Sequence, residues 1–223
     1  MTLPARSLLR DALGALGIRR FLLGIHDPAF PVAPDEDVGR GSPNADGAPA
    51  LLELAAGLGF DGIQLGPQGA TSRADPSPYD GTLFSRNPCS IALAPLVRAE
   101  WGALLRPETL AAAVAGRPGP PDRVSYGWAF DAASAALREV AAAFRERRAR
   151  GEGGAIAELA DGLERFRREH AEWLERDALY EVLQRAHGGA GFRAWDARDA
   201  TLFAPPPGGE GAADARRAVL LAR

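Results

Sequence analysis

Two adjacent polar residues, His26 and Asp27, are the first candidates for acid–base chemistry, because they directly follow an apolar run at residues 21–25. The run has the length and composition of a buried strand, and functional side chains of parallel α/β folds gather where such strands end. We therefore predict that His26 contacts a substrate. Neighbouring residues of a strand point to opposite faces, so we do not expect His26 and Asp27 to act as a pair.

The other residues that could do chemistry form no pattern typical of a cofactor site. Cys89 is the single cysteine, and it stands at the entry to an apolar run, which favours a small core residue over a nucleophile. A single cysteine forms no intrachain disulfide and is typical of a reducing compartment. The three histidines are too dispersed for a metal-ligand pattern, and no glycine-rich phosphate loop follows a candidate strand. We therefore predict no metal and no cofactor.

The chain is weakly acidic, with 26 basic and 29 acidic residues among 223 and a formal net charge of −3. This balance gives no electrostatic reason to expect a nucleic acid or an anionic membrane as a partner. The first residues, interrupted by Arg10 and Asp11, resemble neither a signal peptide nor an anchor, and no apolar stretch approaches the ~20 residues of a membrane span. We expect a cytoplasmic protein without nucleic-acid or membrane partners.

The first part of the chain predicts alternating helices and strands. Apolar stripes of helical spacing cover residues 5–16 and 48–58. Apolar runs at residues 21–25 and 60–65 predict strands, the first of them buried on both faces. The loop at residues 27–47 is long enough to be functional or disordered. Strand, helix and strand in this order favour a parallel sheet, with which both a doubly wound fold and a (β/α)8 barrel begin.

Helical periodicity dominates the second part of the chain, where Ala, Glu and Arg are abundant. Pro107 begins a short helix, and two longer helices are predicted at about residues 130–149 and 155–187. The pair Gly188-Gly189 ends the last of them. Acidic residues between 139 and 181 follow the solvent-facing side of these amphipathic helices, so we assign them no catalytic role.

Several motifs, in the same order along the chain, resemble those of one enzyme family. They are a glycine-containing loop at residues 37–43, Gly-Pro at 66–67, Ser-Pro-Tyr at 77–79, Asn-Pro before an apolar Ile-Ala-Leu at 87–93, a Trp-Leu…Ala-Leu-Tyr helix at 173–180, His-Gly-Gly at 187–189 and Trp195. Together they are similar to the amylomaltases, or disproportionating enzymes, the 4-α-glucanotransferases of glycoside hydrolase family 77. The similarity covers most of residues 20–200. Departures at residues 60–61, 64 and 80 suggest a divergent branch.

The resemblance implies an α/β fold that is the start of a (β/α)8 TIM-type barrel with an inserted, mainly helical subdomain. A complete barrel needs ~250 residues, so the chain is expected to hold only the N-terminal part and to leave the barrel incomplete. The expected domains are residues 1–100 for the first βα units and 101–203 for the helical insertion. Residues 204–223 form a Pro/Gly-rich link and then either a truncated element or an ordinary C-terminal helix.

The activity that the resemblance implies is the transfer of α-1,4-glucan segments between maltooligosaccharides, with retention of configuration. Retention requires two carboxylates ~5–5.5 Å apart. In the family these come from later barrel strands, so we assign no catalytic residue within 1–223 and expect the chain alone to be inactive. The first alternative is a non-catalytic α-glucan-binding or regulatory relative. The second is a helical interaction module at residues 130–187.

The resemblance also implies where a glucan would bind. Tyr79 matches a family tyrosine that packs on a glucose ring, and a flat aromatic side chain with a hydroxyl suits the apolar face of a pyranose. Asp80 stands where the family has Gln and still accepts hydrogen bonds. Ser77 and Asn87 are candidates for contacts with sugar hydroxyls, although such loop residues often cap local backbone instead. With His26, these residues are the predicted substrate contacts.

Overall fold

The computed structural model describes residues 3–79 and 84–201, which form a helix-rich protein with a small parallel sheet. The elements are α1 (Leu3–Ala15), β1 (Leu22–Ile25), α2 (Ala48–Gly57), β2 (Gly62–Leu65), α3 (Pro107–Ala115), α4 (Tyr126–Ala149), α5 (Ala155–Glu169), α6 (Ala171–Ala186) and α7 (Ala197–Thr201). The chain divides into two compact units. The first consists of Met1–Gly81 with Arg86–Ala160, and the second of Thr82–Ser85 with Asp161–Arg223.

The predicted parallel pairing of the two strands is confirmed. In the register of the sheet, Leu22 lies opposite Gly62 and the pairing continues to the ends of both strands. The strands begin one or two residues later than predicted, although the Asp61 amide still donates a hydrogen bond of 2.7 Å to the Phe21 carbonyl just before them. The rings of Phe21 and Phe60 stack 4.4 Å apart, and the carboxylate of Asp61 accepts a hydrogen bond of 2.9 Å from the Phe21 amide.

The prediction that the first strand is buried on both faces is wrong. Leu22 is 45% exposed, and Leu65 on β2 is 38% exposed. The apolar stripe of α1 is also open in part, since Leu8 is 70% exposed. Among the described residues the sheet has two strands, so β1 has neighbours on one edge only and its apolar side chains are incompletely covered.

The long loop between β1 and α2 is ordered by two carboxylates. Glu36 is 6% exposed, and its oxygens accept hydrogen bonds from the backbone amides of Ala33, Asp46 and Gly47, the last two just before α2. Asp37 accepts hydrogen bonds from the Gly39 amide at 2.8 Å and from Nε of Arg117 at 3.0 Å. The buried Glu36 and the partly buried Asp37 give the loop a defined conformation without regular secondary structure.

The core of the first unit lies where α4 packs against the turns that follow β2 and against α3. Its buried members are Leu93, Leu105 and Ala136. The indole of Trp128 on α4 donates a hydrogen bond of 2.9 Å to the carbonyl of Ala113 on α3, which ties these two helices together. Helix α4 begins at Tyr126, about one turn before the predicted start.

The single helix predicted over residues 155–187 is two helices, so that prediction is wrong. At His170 the backbone has φ −119° and ψ 15°, outside the helical range, and α5 ends there before α6 begins. The apolar stripe continues across the break, so periodicity alone did not reveal it. Gly188 and Gly189 end α6 with φ values of 65° and 91°, as the sequence predicted.

Candidate functional site

A pocket of about 300 Å³ lies in the first unit, at the ends of β1 and β2. Its lining is formed by His26, Pro28, Arg40, Pro67, Gln68, Thr71, Pro76, Pro78, Asn87, Ser90, Val124 and Tyr126. The strands are parallel, so their carboxyl ends meet at the same edge of the sheet. This explains how residues that follow each strand come to share one pocket. The volume is at the lower end of the range typical of small-molecule sites.

The buried carboxylate of Asp27 bonds to two of the side chains that line this pocket. Asp27 is 3% exposed, and it accepts hydrogen bonds from Nε2 of Gln68 at 3.1 Å and from Oγ of Ser90 at 2.9 Å. The guanidinium of Arg40 donates to the same Ser90 hydroxyl at 3.3 Å, so Ser90 links the two charged groups. The chemical role of Asp27 is thus to hold two pocket-lining side chains in place.

Arg40 carries a buried positive charge beside the pocket. It is 8% exposed, and burial lowers the pKa of its guanidinium, an effect that the negative charge of Asp27 partly opposes. Arg40 also donates to the carbonyl oxygen of Cys89, and no residue in the described part of the chain accepts from its Nε atom. Burial raises the pKa of the half-buried Cys89 thiol, which is consistent with a packing residue rather than a nucleophile.

Asn87, Thr71 and Tyr126 form one wall of the pocket. Asn87 is 5% exposed; its Oδ1 accepts from the Cys89 amide at 2.9 Å and its Nδ2 donates to Oγ1 of Thr71 at 3.0 Å. The Tyr126 hydroxyl donates to the Ser72 carbonyl at 2.9 Å, and burial is the main cause of its raised pKa. Asn87 therefore caps a local turn and fixes the wall, while its contact with a sugar stays a prediction.

The remaining predicted substrate contacts do not all line the pocket: Ser77 and Tyr79 stand next to the lining residues Pro76 and Pro78 in the chain but are not part of the lining. His26 lines the pocket directly, and Gly66 makes room for the imidazole, since a Cβ atom at Gly66 would lie 2.2 Å from Nδ1 of His26. Tyr79 is 72% exposed, and its amide donates to the Ser77 hydroxyl at 3.4 Å. Asp80 lies outside the described residues.

Sequence reasoning missed much of the polar framework of this pocket. Asp27 was considered only as a partner of His26, and Arg40, Gln68, Ser90 and Tyr126 were not considered as site residues. Gln68 offered one usable signal, because it directly follows the Gly-Pro at the end of the second strand. Arg40 stands inside the glycine-containing loop at residues 37–43, which was used only for the family resemblance. Tyr126 lies far from both strands in sequence, so no local motif could have identified it.

The described lining combines prolines and an aromatic ring with hydroxyl, amide, imidazole and guanidinium groups, and it contains no carboxylate. Such a surface offers a ligand apolar contact together with hydrogen-bond donors and acceptors.

Comparison with known proteins identifies the family. A family model described as 4-alpha-glucanotransferase matches residues 31–206, which include every residue of the pocket lining except His26 and Pro28. The chain belongs to this family. It is also similar to a 4-alpha-glucanotransferase of Thermus thermophilus, with 33% identity over 146 residues. That alignment covers 65% of this chain and 25% of the relative, so the chain spans about a quarter of the length of the relative.

Among the described helices, none is both long and apolar enough to cross a membrane.

Proposed function

We propose that this chain contributes a glucan-binding part of a 4-α-glucanotransferase, which transfers α-1,4-linked segments between maltooligosaccharides with retention of configuration. The observation that carries the proposal is the pocket of about 300 Å³ at the carboxyl ends of two parallel strands, in a chain that belongs to this family. Such strand ends are where α/β folds place their ligands.

The residues around the pocket support a sugar as its ligand. A pyranose presents an apolar face to aromatic rings and a rim of hydroxyls to polar groups. Tyr79, which directly follows the pocket-lining Pro78, offers an open ring for stacking. His26 and Thr71 offer hydrogen-bonding groups at the lining, and Asp80, the next residue after Tyr79 in the sequence, carries a carboxylate that can accept hydrogen bonds. We propose Tyr79 as the main apolar contact and Ser77, Asp80, Asn87 and His26 as polar contacts.

We further propose that β1 and β2 are the first strands of a (β/α)8 barrel and that the catalytic carboxylates belong to other strands of the complete fold. The parallel pairing supports this placement, as does the absence of a carboxylate from the described pocket lining. On this proposal, residues 1–223 by themselves bind α-1,4-glucans and do not transfer them.

Calorimetric titration with maltotetraose tests the binding proposal. Loss of the ring in Tyr79→Ala should weaken binding by about 3–10-fold, which corresponds to the ~0.5–1.5 kcal/mol of an aromatic contact. Tyr79→Phe keeps the ring and should retain most of the affinity. The control is Trp101→Ala, which removes a 46% exposed aromatic residue of the same unit that neither lines the pocket nor adjoins a lining residue in the chain. Equal affinity in Tyr79→Ala and the wild-type chain would remove Tyr79 from the site.

A separate assay tests the proposal that the chain alone is inactive. Incubation of the chain with maltotetraose, followed by chromatography of the oligosaccharides, should show no longer or shorter products. Redistribution of chain lengths would show that residues 1–223 contain a working catalytic pair. Absence of both binding and transfer would instead contradict the glucan-binding proposal itself.

A further inference from the structure

The second unit brings together three side chains with metal-ligating atoms, at the end of α6 and the start of α7. Nε2 of His187 lies 2.9 Å from Oδ2 of Asp199 and 3.9 Å from Oδ2 of Asp196. One ligand atom from each residue lies within 4.8 Å of the other two. The three residues are far from the pocket-lining residues in sequence, and the glucan-binding proposal makes no use of them.

The surrounding residues hold these three groups in fixed positions. The imidazole of His187 stacks on the indole of Trp195, with ring centroids 5.4 Å apart and an interplanar angle of 11°. The indole is fixed in turn by a hydrogen bond of 2.7 Å from its Nε1 to the carbonyl of Ala190. Asp199 is 3% exposed, so its carboxylate is oriented inside the protein rather than solvated. Support of this kind orients the ligands of protein metal sites.

The two carboxylate oxygens of Asp196 make different contacts. Oδ1 accepts a hydrogen bond of 2.9 Å from the Asp199 amide and thereby caps α7, while Oδ2 faces the imidazole. The cap leaves Oδ2 available for a ligand. Asp196 is also the exposed member, with 61% of its side chain accessible, so solvent reaches the cluster from its side.

We propose that His187, Asp196 and Asp199 bind a divalent transition-metal ion, and that Zn²⁺ fits them best. Zn²⁺ takes imidazole nitrogen and carboxylate oxygen at ~2.0–2.2 Å, which places neighbouring ligand atoms of a tetrahedral site about 3.3–3.5 Å apart. The two separations from Nε2, 2.9 and 3.9 Å, lie on either side of this distance, so shifts of about half an ångström would bring both to it. The two carboxylates have ligand atoms at most 4.8 Å apart and would move toward each other on binding. A water from the Asp196 side would supply the fourth ligand.

The chemistry of the ligands selects the class of ion. Imidazole favours Zn²⁺ and similar transition ions over Mg²⁺ and Ca²⁺, which prefer oxygen ligands alone. On binding, the ion takes the place of the hydrogen between Nε2 and Asp199, and the ring binds as the neutral imidazole with its proton on Nδ1. The bound ion would join the end of α6 to α7 and stabilise this part of the second unit.

The prediction of no metal site considered the spacing of the histidines alone. It did not consider that one histidine and two aspartates lie within thirteen residues of one another on either side of a turn.

Titration of the whole chain with ZnCl₂ tests the proposal, by calorimetry and by the visible spectrum of Co²⁺ as a substitute ion. We expect one ion per chain with a dissociation constant below about 100 µM. Asp196→Asn and His187→Gln should each weaken binding by at least about tenfold, whereas His170→Gln, which changes the other histidine of this unit, should leave it unchanged. Mg²⁺ at the same concentrations should give no heat.

Asp196→Asn is the decisive variant, because the amide oxygen of Asn still caps α7 while its nitrogen replaces the proposed ligand oxygen. Circular dichroism of each variant establishes that it folds. Zn²⁺ should raise the thermal midpoint of the wild-type chain and not that of Asp196→Asn. The proposal is overturned if the wild-type chain binds no Zn²⁺, if folded Asp196→Asn binds it with unchanged affinity, or if Mg²⁺ binds as tightly as Zn²⁺.

Discussion

The replacement Glu139→Gln removes a charge at the junction of α3 and α4 while keeping the shape of the side chain. Glu139 on α4 accepts hydrogen bonds from the Arg106 amide at 2.9 Å, from the Arg106 guanidinium at 3.0 and 3.2 Å, and from the Thr109 hydroxyl at 2.7 Å. These donors belong to the first turn of α3 and the residue before it. The side-chain bond from Arg106 is the largest cause that lowers the pKa of Glu139 to about 2.

The magnitude follows from this shift. A pKa lowered from 4.5 to about 2 corresponds, at ~1.36 kcal/mol per unit, to an upper limit of about 3 kcal/mol for the ionised carboxylate. The Arg106 side chain is 73% exposed, so solvent screens much of this interaction. We therefore expect Glu139→Gln to lower the free energy of unfolding at pH 7 by about 1–2 kcal/mol.

The effect should depend on pH in a defined direction. Because folding lowers the pKa of Glu139, its contribution to stability is fully present above the unfolded value of 4.5. It is lost as the pH falls through about 2, where the folded protein also binds the proton. The difference in unfolding free energy between the two proteins should thus be constant from pH 7 to about pH 5 and should shrink progressively below that.

Urea denaturation followed by far-UV circular dichroism at pH 7, 5 and 3 measures this difference. The matched control is Glu146→Gln on the same helix, whose partner Arg150 is 70% exposed in an i,i+4 pair, so its effect should stay below about 0.5 kcal/mol. The reasoning is refuted if the two variants are equally stable at pH 7, or if the deficit of Glu139→Gln is as large at pH 3 as at pH 7.

Two further substitutions test the packing of each unit by urea denaturation. Gly41→Ala places a Cβ atom 2.0 Å from the Phe30 carbonyl oxygen, so it should destabilise the first unit by about 1–3 kcal/mol or more. The control Gly57→Ala has no atom near the added methyl group and should be neutral or stabilising. Leu183→Ala removes a fully buried side chain of the second unit and should lower the free energy of unfolding by about 2–5 kcal/mol. This loss should be several times larger than that of Leu163→Ala at a 39% exposed position. Similar losses within either pair would contradict the packing described above.

Short-range patterns in the sequence determined the order of elements, the parallel pairing of the two strands and the family. Each rests on neighbours along the chain: the apolar spacing of α2, the glycines after α6 and the motifs around residues 66–93. The same locality explains the errors. The stripe across His170 is helical on both sides of the break, and the apolar run of β1 does not reveal how many strands will cover it.

Tertiary structure alone decided which polar groups meet. Asp27 and Ser90 are 63 residues apart and share a hydrogen bond, and Arg40 reaches the same hydroxyl from a third segment. His187 and Asp199 meet because the turn after α6 folds α7 back on it. Buried polar groups need partners, but any of many donors and acceptors in the sequence satisfies that need equally well. Only the packing of the helices and loops selects the pair that forms.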